Sequence, residues 1–82
     1  MKFFVYILES EIDGSFYVRQ TSNLNDRLER HNKDRNRSTK AKKPWKIIWF
    51  KEMISRPEAI KLESKIKSWK KRESIINYIE KN

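Results

Sequence analysis

The chain has 82 residues, 20 Lys plus Arg against 11 Asp plus Glu, and a formal net charge of +9. A body of that size buries roughly 60% of the surface its unfolded chain exposes, so one domain over residues 1–82 is expected and a second is excluded. The absence of Cys excludes a disulfide scaffold, a thiolate metal site and a Cys nucleophile.

The first apolar run, Phe3-Phe4-Val5-Tyr6-Ile7-Leu8, is β-branched and aromatic and lacks polar alternation. It reads as a strand covered on both faces. Asp13-Gly14, which contains the only Gly of the chain, is a turn signal, and Phe16-Tyr17-Val18-Arg19-Gln20 is the return strand of a hairpin. Thr21-Ser22-Asn23 offers N-cap groups to a helix whose Leu24, Leu28 and His31 share one face. Residues 32–44 are polar and basic, with Lys33, Arg35, Arg37, Lys40, Lys42 and Lys43 before Pro44. Trp45 to Met53 reads as a third strand. Ser55-Arg56-Pro57-Glu58 is a capping box with Pro in the first turn, opening a helix to about Ser68 or Trp69. A last helix carries Arg72, Ile75, Ile76 and Ile79 on one side. The order β-β-α-β-α-α places the chain in the α+β class.

Hydrophobic residues make up 37% of the chain, enough for a small core, so disorder is not expected despite 38% charged residues. No apolar stretch approaches the ~20 residues of a membrane span and no signal-peptide pattern opens the chain, so a cytoplasmic protein without a membrane partner is expected. The surplus of positive charge attracts phosphate backbones. It says nothing about chemistry.

Three sets of polar residues fall where core residues belong. Glu63 stands at the margin of the stripe formed by Ala59, Leu62, Ile66 and Trp69. A carboxylate leaving water needs a cation or a strong donor, and Lys67 at i+4 would make it an ordinary helix-surface pair. Arg27 and His31, four apart, flank the Leu24–Leu28 stripe. They suit a phosphate and a proton transfer respectively, or else Arg27 snorkels over the core and His31 is hydrogen-bonded beside Leu28. If the hairpin loop has an even number of residues, Tyr6, Tyr17 and Arg19 share a face of the sheet.

Taken in order, these pieces resemble the GIY-YIG nuclease family in its small stand-alone bacterial form. Val5-Tyr6-Ile7-Leu8 is similar to the GIY strand and Phe16-Tyr17-Val18-Arg19 to the YIG strand. Gln20-Thr21-Ser22-Asn23-Leu24 with Arg27-Leu28 and His31-Asn32 resembles the helix motif, Thr39 and Pro44-Trp45 the next segment, and Ala59 to Glu63 through Ile66-Lys67 and Trp69 the acidic helix. The resemblance implies a three-stranded antiparallel sheet flanked by helices and a DNA endonuclease using one divalent cation, Mg2+ or Mn2+. It implies that Glu63 ligates the metal, that Arg27 contacts the scissile phosphate and that Tyr6 and Tyr17 orient or activate water. His31 would assist the proton transfer or touch phosphate. An unperturbed Tyr is a weak base at pH 7, so a nearby cation is expected to depress one of the pair. Arg19, Lys67 and the basic run from Lys33 through Arg35, Arg37, Lys40, Lys42 and Lys43 would contact the nucleic-acid backbone without reading bases.

One departure matters: the last Gly of the YIG motif is Arg19 here. Arg19 could block the metal or water site, reach a phosphate or lower a tyrosine's pKa, or be turned to solvent by a shifted register. The first of these outcomes yields a nucleic-acid-binding module with little or no activity. A basic protein that binds another protein or a membrane surface is a third reading. With no separate targeting domain, selectivity for branched or nicked DNA would come from the core, a partner protein or a homodimer.

Overall fold

The structure, a computed structural model, describes residues 2–33 and 42–82; Arg35, Arg37, Thr39 and Lys40 lie outside the described residues. Six elements follow in the expected order: β1 (Phe3–Ser10), β2 (Phe16–Thr21), α1 (Leu24–Asn32), β3 (Trp45–Met53), α2 (Arg56–Ser68) and α3 (Arg72–Lys81). The strands form an antiparallel sheet in the order β2-β1-β3.

The central place of β1 explains its unbroken apolar run, because both of its faces are covered. Val5 and Ile7 point into a cluster with Val18, Trp49, Ala59, Ile66 and Ile75, under α2 and α3. Tyr6 and Leu8 point the other way, against Trp45, Tyr17, Leu24, Leu28 and Ile47, under α1. The sheet thus separates two small cores, and burying them is the main force holding three helices to three strands.

Local chemistry sets the hairpin. Leu8 stands opposite Tyr17 and Glu9 opposite Phe16, while the Ser10 N–H donates to the Ser15 carbonyl at 2.9 Å, which leaves the four residues Glu11 to Gly14 as the loop. Gly14 takes φ 75°, where a side chain would be strained. Asp13 accepts from the Ser15 N–H at 2.9 Å. Hydrogen bonds from Ser15, then the charge of Lys42, hold its carboxyl down at about 2. Arg72 at the start of α3 fastens that helix to the hairpin: its guanidinium donates to the Gly14 carbonyl, pairs with Glu9 at 2.8 Å and lies 4.2 Å over the Phe16 ring.

β3 contains a bulge. Leu8 pairs with Ile47 but Ile7 pairs with Trp49, so Ile48 is the extra residue. The bulge changes the face on which the strand's large side chains lie. Trp45 and Ile47 join the α1 side, whereas Ile48 and Trp49 join the α2 side.

The helix caps follow the expected pattern with one refinement. Asn23, the last of the three candidates, caps α1 by accepting from the Asp26 N–H at 3.0 Å, and Ser55 caps α2 by accepting from the Glu58 N–H. At its other end α1 is tied to β3 by a side chain. Asn32 accepts from the Trp45 N–H at 2.6 Å and donates to the Trp45 carbonyl at 3.1 Å, a two-bond clasp across the basic segment. Because Trp45 is 5% exposed, Asn32→Ala is expected to cost about 1–3 kcal/mol, read from urea unfolding; a change below about 0.5 kcal/mol would rule out the clasp as a stabilising element.

Candidate active site

The pairing of β1 with β2 puts Tyr6 opposite Arg19 and Leu8 opposite Tyr17, so Tyr6, Tyr17 and Arg19 occupy the sheet face that α1 covers. The regular register removes the option of a slipped strand that turns Arg19 away. α1 brings His31 and Arg27, one turn apart, over the same face. His31 is 1% exposed, its Nε2 lies 3.1 Å from the Tyr6 hydroxyl, and its ring meets the Tyr17 ring at a centroid distance of 5.0 Å. His31 is therefore both the hydrogen-bonded core residue and a neighbour of the two tyrosines. Arg27 is exposed and forms no ion pair among the described residues. Its charge acts on both Tyr6 and His31.

The electrostatics of Tyr6 exclude it as the cation-depressed member of the pair. Burial, followed by the neighbouring Tyr17, pushes the Tyr6 phenol well above its ordinary range, outweighing the opposite pull of Arg27 and Arg19. Tyr6 is a neutral phenol rather than a cation-depressed base, because its ring is 1% exposed and desolvation of the phenolate dominates. Burial, then Arg27 and Arg19, lowers the His31 pKa below 6.5. A neutral phenol facing a neutral imidazole results at pH 7.

That depression carries a stability consequence. Between the lowered folded value and the ordinary 6.5, the unfolded chain binds more protons at His31, so stability is lost as pH falls through that window. Thermal unfolding by circular dichroism is expected at a lower temperature at pH 5 than at pH 7. His31→Gln should flatten the slope, and identical slopes for the two proteins would exclude His31 as its source.

Glu63 meets this face at the edge of the sheet. Its side chain is 13% exposed, and its Oε2 lies 2.9 Å from Lys67 Nζ and 3.8 Å from a guanidinium nitrogen of Arg19. The helix-surface pair with Lys67 is present, and so is the inward tilt that a carboxylate at the stripe margin implies. The Arg19 contact is the looser of the two: its side chain is 53% exposed, and such pairs contribute about 0.2–1 kcal/mol. Arg19 therefore bridges from β2 to the carboxylate.

Among the described residues no group of three His, Cys, Asp or Glu converges. One hard carboxylate does not make a cage for an ion held by protein alone. It does fit a magnesium-type ion that keeps several waters and takes its other ligands from substrate phosphate. Of the basic residues expected to track a backbone, Lys33 pairs with Glu29 at 3.0 Å, and Lys42 with Asp13 at 3.4 Å. Both pairs are exposed and weak enough to yield to phosphate.

Comparison with known proteins gives the family. Residues 2–77 match the GIY-YIG catalytic domain. This chain belongs to the GIY-YIG family. The GIY-YIG chain is 35% identical to a UPF0213 protein of Pediococcus pentosaceus over 81 residues, 98% of this chain and 83% of the relative. It is 34% identical to a UPF0213 protein of Streptococcus pneumoniae over 71 residues, 85% of this chain and 71% of the relative. The solution NMR structure of a UPF0213 protein from Bacillus halodurans aligns with a TM-score of 0.62 at 27% identity, covering 98% of this chain and 84% of that one. UPF0213 proteins are small stand-alone members of a nuclease family, and membership implies a nucleic-acid substrate in general. GIY-YIG nucleases are generally divalent-metal dependent.

In the sequence Asn32 stands out only as part of a motif, which does not reveal its backbone clasp. Nothing in the sequence marks Ser10, although it is buried and its hydroxyl donates to the Lys42 carbonyl at 2.5 Å. In both cases the partner lies more than ten positions away, and no local pattern marks such a bond.

Proposed function

We propose that this GIY-YIG chain is a divalent-metal-dependent endonuclease that hydrolyses phosphodiester bonds in DNA. The observation that carries the reading is the contact of Tyr6 and Tyr17 with His31, beside Arg27 on the same helix and Glu63 across the sheet edge. The five residues come from β1, β2, α1 and α2, and the charges of Arg27 and Glu63 both act on Tyr6.

Each side chain has work suited to its state. Arg27, exposed and without an ion pair among the described residues, receives the scissile phosphate and offsets the charge that builds on it. The Tyr6 oxygen accepts a hydrogen bond from the attacking water. Its own proton can pass to Nε2 of the neutral His31, 3.1 Å away, as the water's proton arrives. Tyr17 holds the imidazole edge and keeps this relay out of bulk water. A divalent ion shared by Glu63 and the substrate phosphate would polarise the phosphoryl group and lower the pKa of water. Lys33, Lys42, Lys43 and Lys67 supply positive charge on which the backbone rests, whatever its sequence, and Arg35, Arg37 and Lys40 add to the charge of the chain between them.

The Arg19–Glu63 contact favours a second reading, a binding module whose carboxylate is blocked. One assay separates the two. Linear, nicked, flapped and four-way-junction DNA is incubated at low salt with Mg2+ or Mn2+, using wild type, Glu63→Ala and Arg19→Gly. Metal-dependent cleavage by wild type, lost in Glu63→Ala, is the expected result and ranks the DNA shapes. Binding by wild type with cleavage only by Arg19→Gly would establish the blocked module. Neither binding nor cleavage by any variant would overturn both.

A further inference from the structure

We infer that Arg19 and Lys67 together cap Glu63 in the free protein, and that nucleic-acid phosphate opens the carboxylate to a divalent ion by drawing Arg19 away. This rests on the nuclease reading and adds an order to it: nucleic acid first, metal second. Both cations approach the same oxygen, Oε2, so an incoming divalent ion meets two positive charges at its one protein ligand. The two cations differ in how they are held. Lys67 lies on the same helix as Glu63, at 2.9 Å, and travels with it. Arg19 comes from the edge strand, stands 3.8 Å away and is half exposed, so it is the one that can leave.

Phosphate is the partner that would take it. A guanidinium matches two phosphate oxygens with a planar fork, which a single carboxylate oxygen at 3.8 Å does not use. The same phosphate brings the oxygens that Glu63 alone cannot supply to the ion. Removing a cation and adding ligands act in the same direction, so the two binding events are positively coupled. Coupling of affinities is reciprocal: the factor by which DNA strengthens metal uptake is the factor by which metal strengthens DNA binding. The motif's Gly carries no such cap, so the dependence belongs to Arg19.

Manganese uptake by the whole chain, followed through the electron paramagnetic resonance signal of free Mn2+, tests this without relying on turnover. Wild type and Arg19→Gln are titrated alone and with a nicked duplex. The same titrations on Glu63→Gln are subtracted to remove Mn2+ held by DNA. Arg19→Gln alone is expected to bind Mn2+ about three- to tenfold more tightly than wild type alone, the effect of deleting one charge a few ångströms from the ion in a wet site. DNA should raise the Glu63-dependent affinity of wild type by more than that of Arg19→Gln. Equal affinities of the two free proteins, or an equal gain from DNA, would overturn the cap while leaving the nuclease reading intact. No Glu63-dependent uptake in any state would sink both.

Discussion

Glu63→Ala is expected to abolish cleavage, lowering kcat/KM by on the order of a thousandfold or more, without weakening the affinity for DNA measured in the absence of divalent metal. The two halves of this outcome have one cause. Glu63 is the carboxylate against which Arg19 and Lys67 are balanced, at 3.8 and 2.9 Å. Its removal takes away the ligand proposed for the ion and at the same time leaves two cations available to phosphate. Fluorescence anisotropy against salt should therefore show binding that is unchanged or tighter, with a slope steeper by up to about one phosphate contact. Glu63 is 13% exposed and terminates no hydrophobic cluster, so urea unfolding should change little. Parallel loss of cleavage, binding and stability would mean that the residue supports the fold rather than the chemistry.

The largest expected effect on stability comes from the other face of the same helix. Ile66 is 0% exposed and packs with Val5, Ile7, Val18 and Ala59 in the cluster that joins α2 to the sheet. Ile66→Ala removes buried methyl and methylene groups from a core with few other contributors, at a cost of about 2–5 kcal/mol. Small domains hold only about 0.05–0.15 kcal/mol per residue, so this change consumes much of the total and is expected to leave a partly unfolded population at 37 °C. Ile60, on the same helix but 47% exposed, is the internal control. Ile60→Ala should stay within about 0.5 kcal/mol of wild type by urea unfolding. Equal losses at the two positions would mean that burial in the cluster does not account for the cost at Ile66.

The elements were legible because each carries its own local signal. Period-free apolar runs marked β1 and β3, Asp13-Gly14 marked the hairpin, and Ser55 with Pro57 and Glu58 marked the start of α2. Even the shared face of Tyr6, Tyr17 and Arg19 follows from strand parity once the loop between them has four residues. Two kinds of feature were not legible. The bulge at Ile48 breaks that parity in β3, and without pairing partners nothing in Trp-Lys-Ile-Ile-Trp says where the face changes. The charge states were the other. A cation-depressed tyrosine is expected from the sequence, which does not say which of the two it is. For Tyr6 desolvation, which depends on how completely α1 closes over the ring, wins instead. Of the three destinations open to Arg19 in sequence, the register removes the slipped strand, and the contact with Glu63 is not among them. Helical spacing gave the Lys67 pair directly, whereas the Arg19 pair joins positions 44 residues apart.

The bulge also parts Trp45 from Trp49, and Trp69 at the end of α2 joins the core of Trp49. Trp45 sits on the α1 side, 6.1 Å from the Tyr17 ring, whereas Trp49 and Trp69 both lean on Tyr78, at 5.3 and 5.2 Å, on the α2 and α3 side. Indole emission responds to the polarity and charge of its immediate surroundings, so the protein carries two built-in optical reporters separated by its own sheet. A ligand that settles among Tyr17, His31 and Arg27 should alter the Trp45 component alone. Loosening of α3 should alter the Trp49 and Trp69 components and leave Trp45 silent.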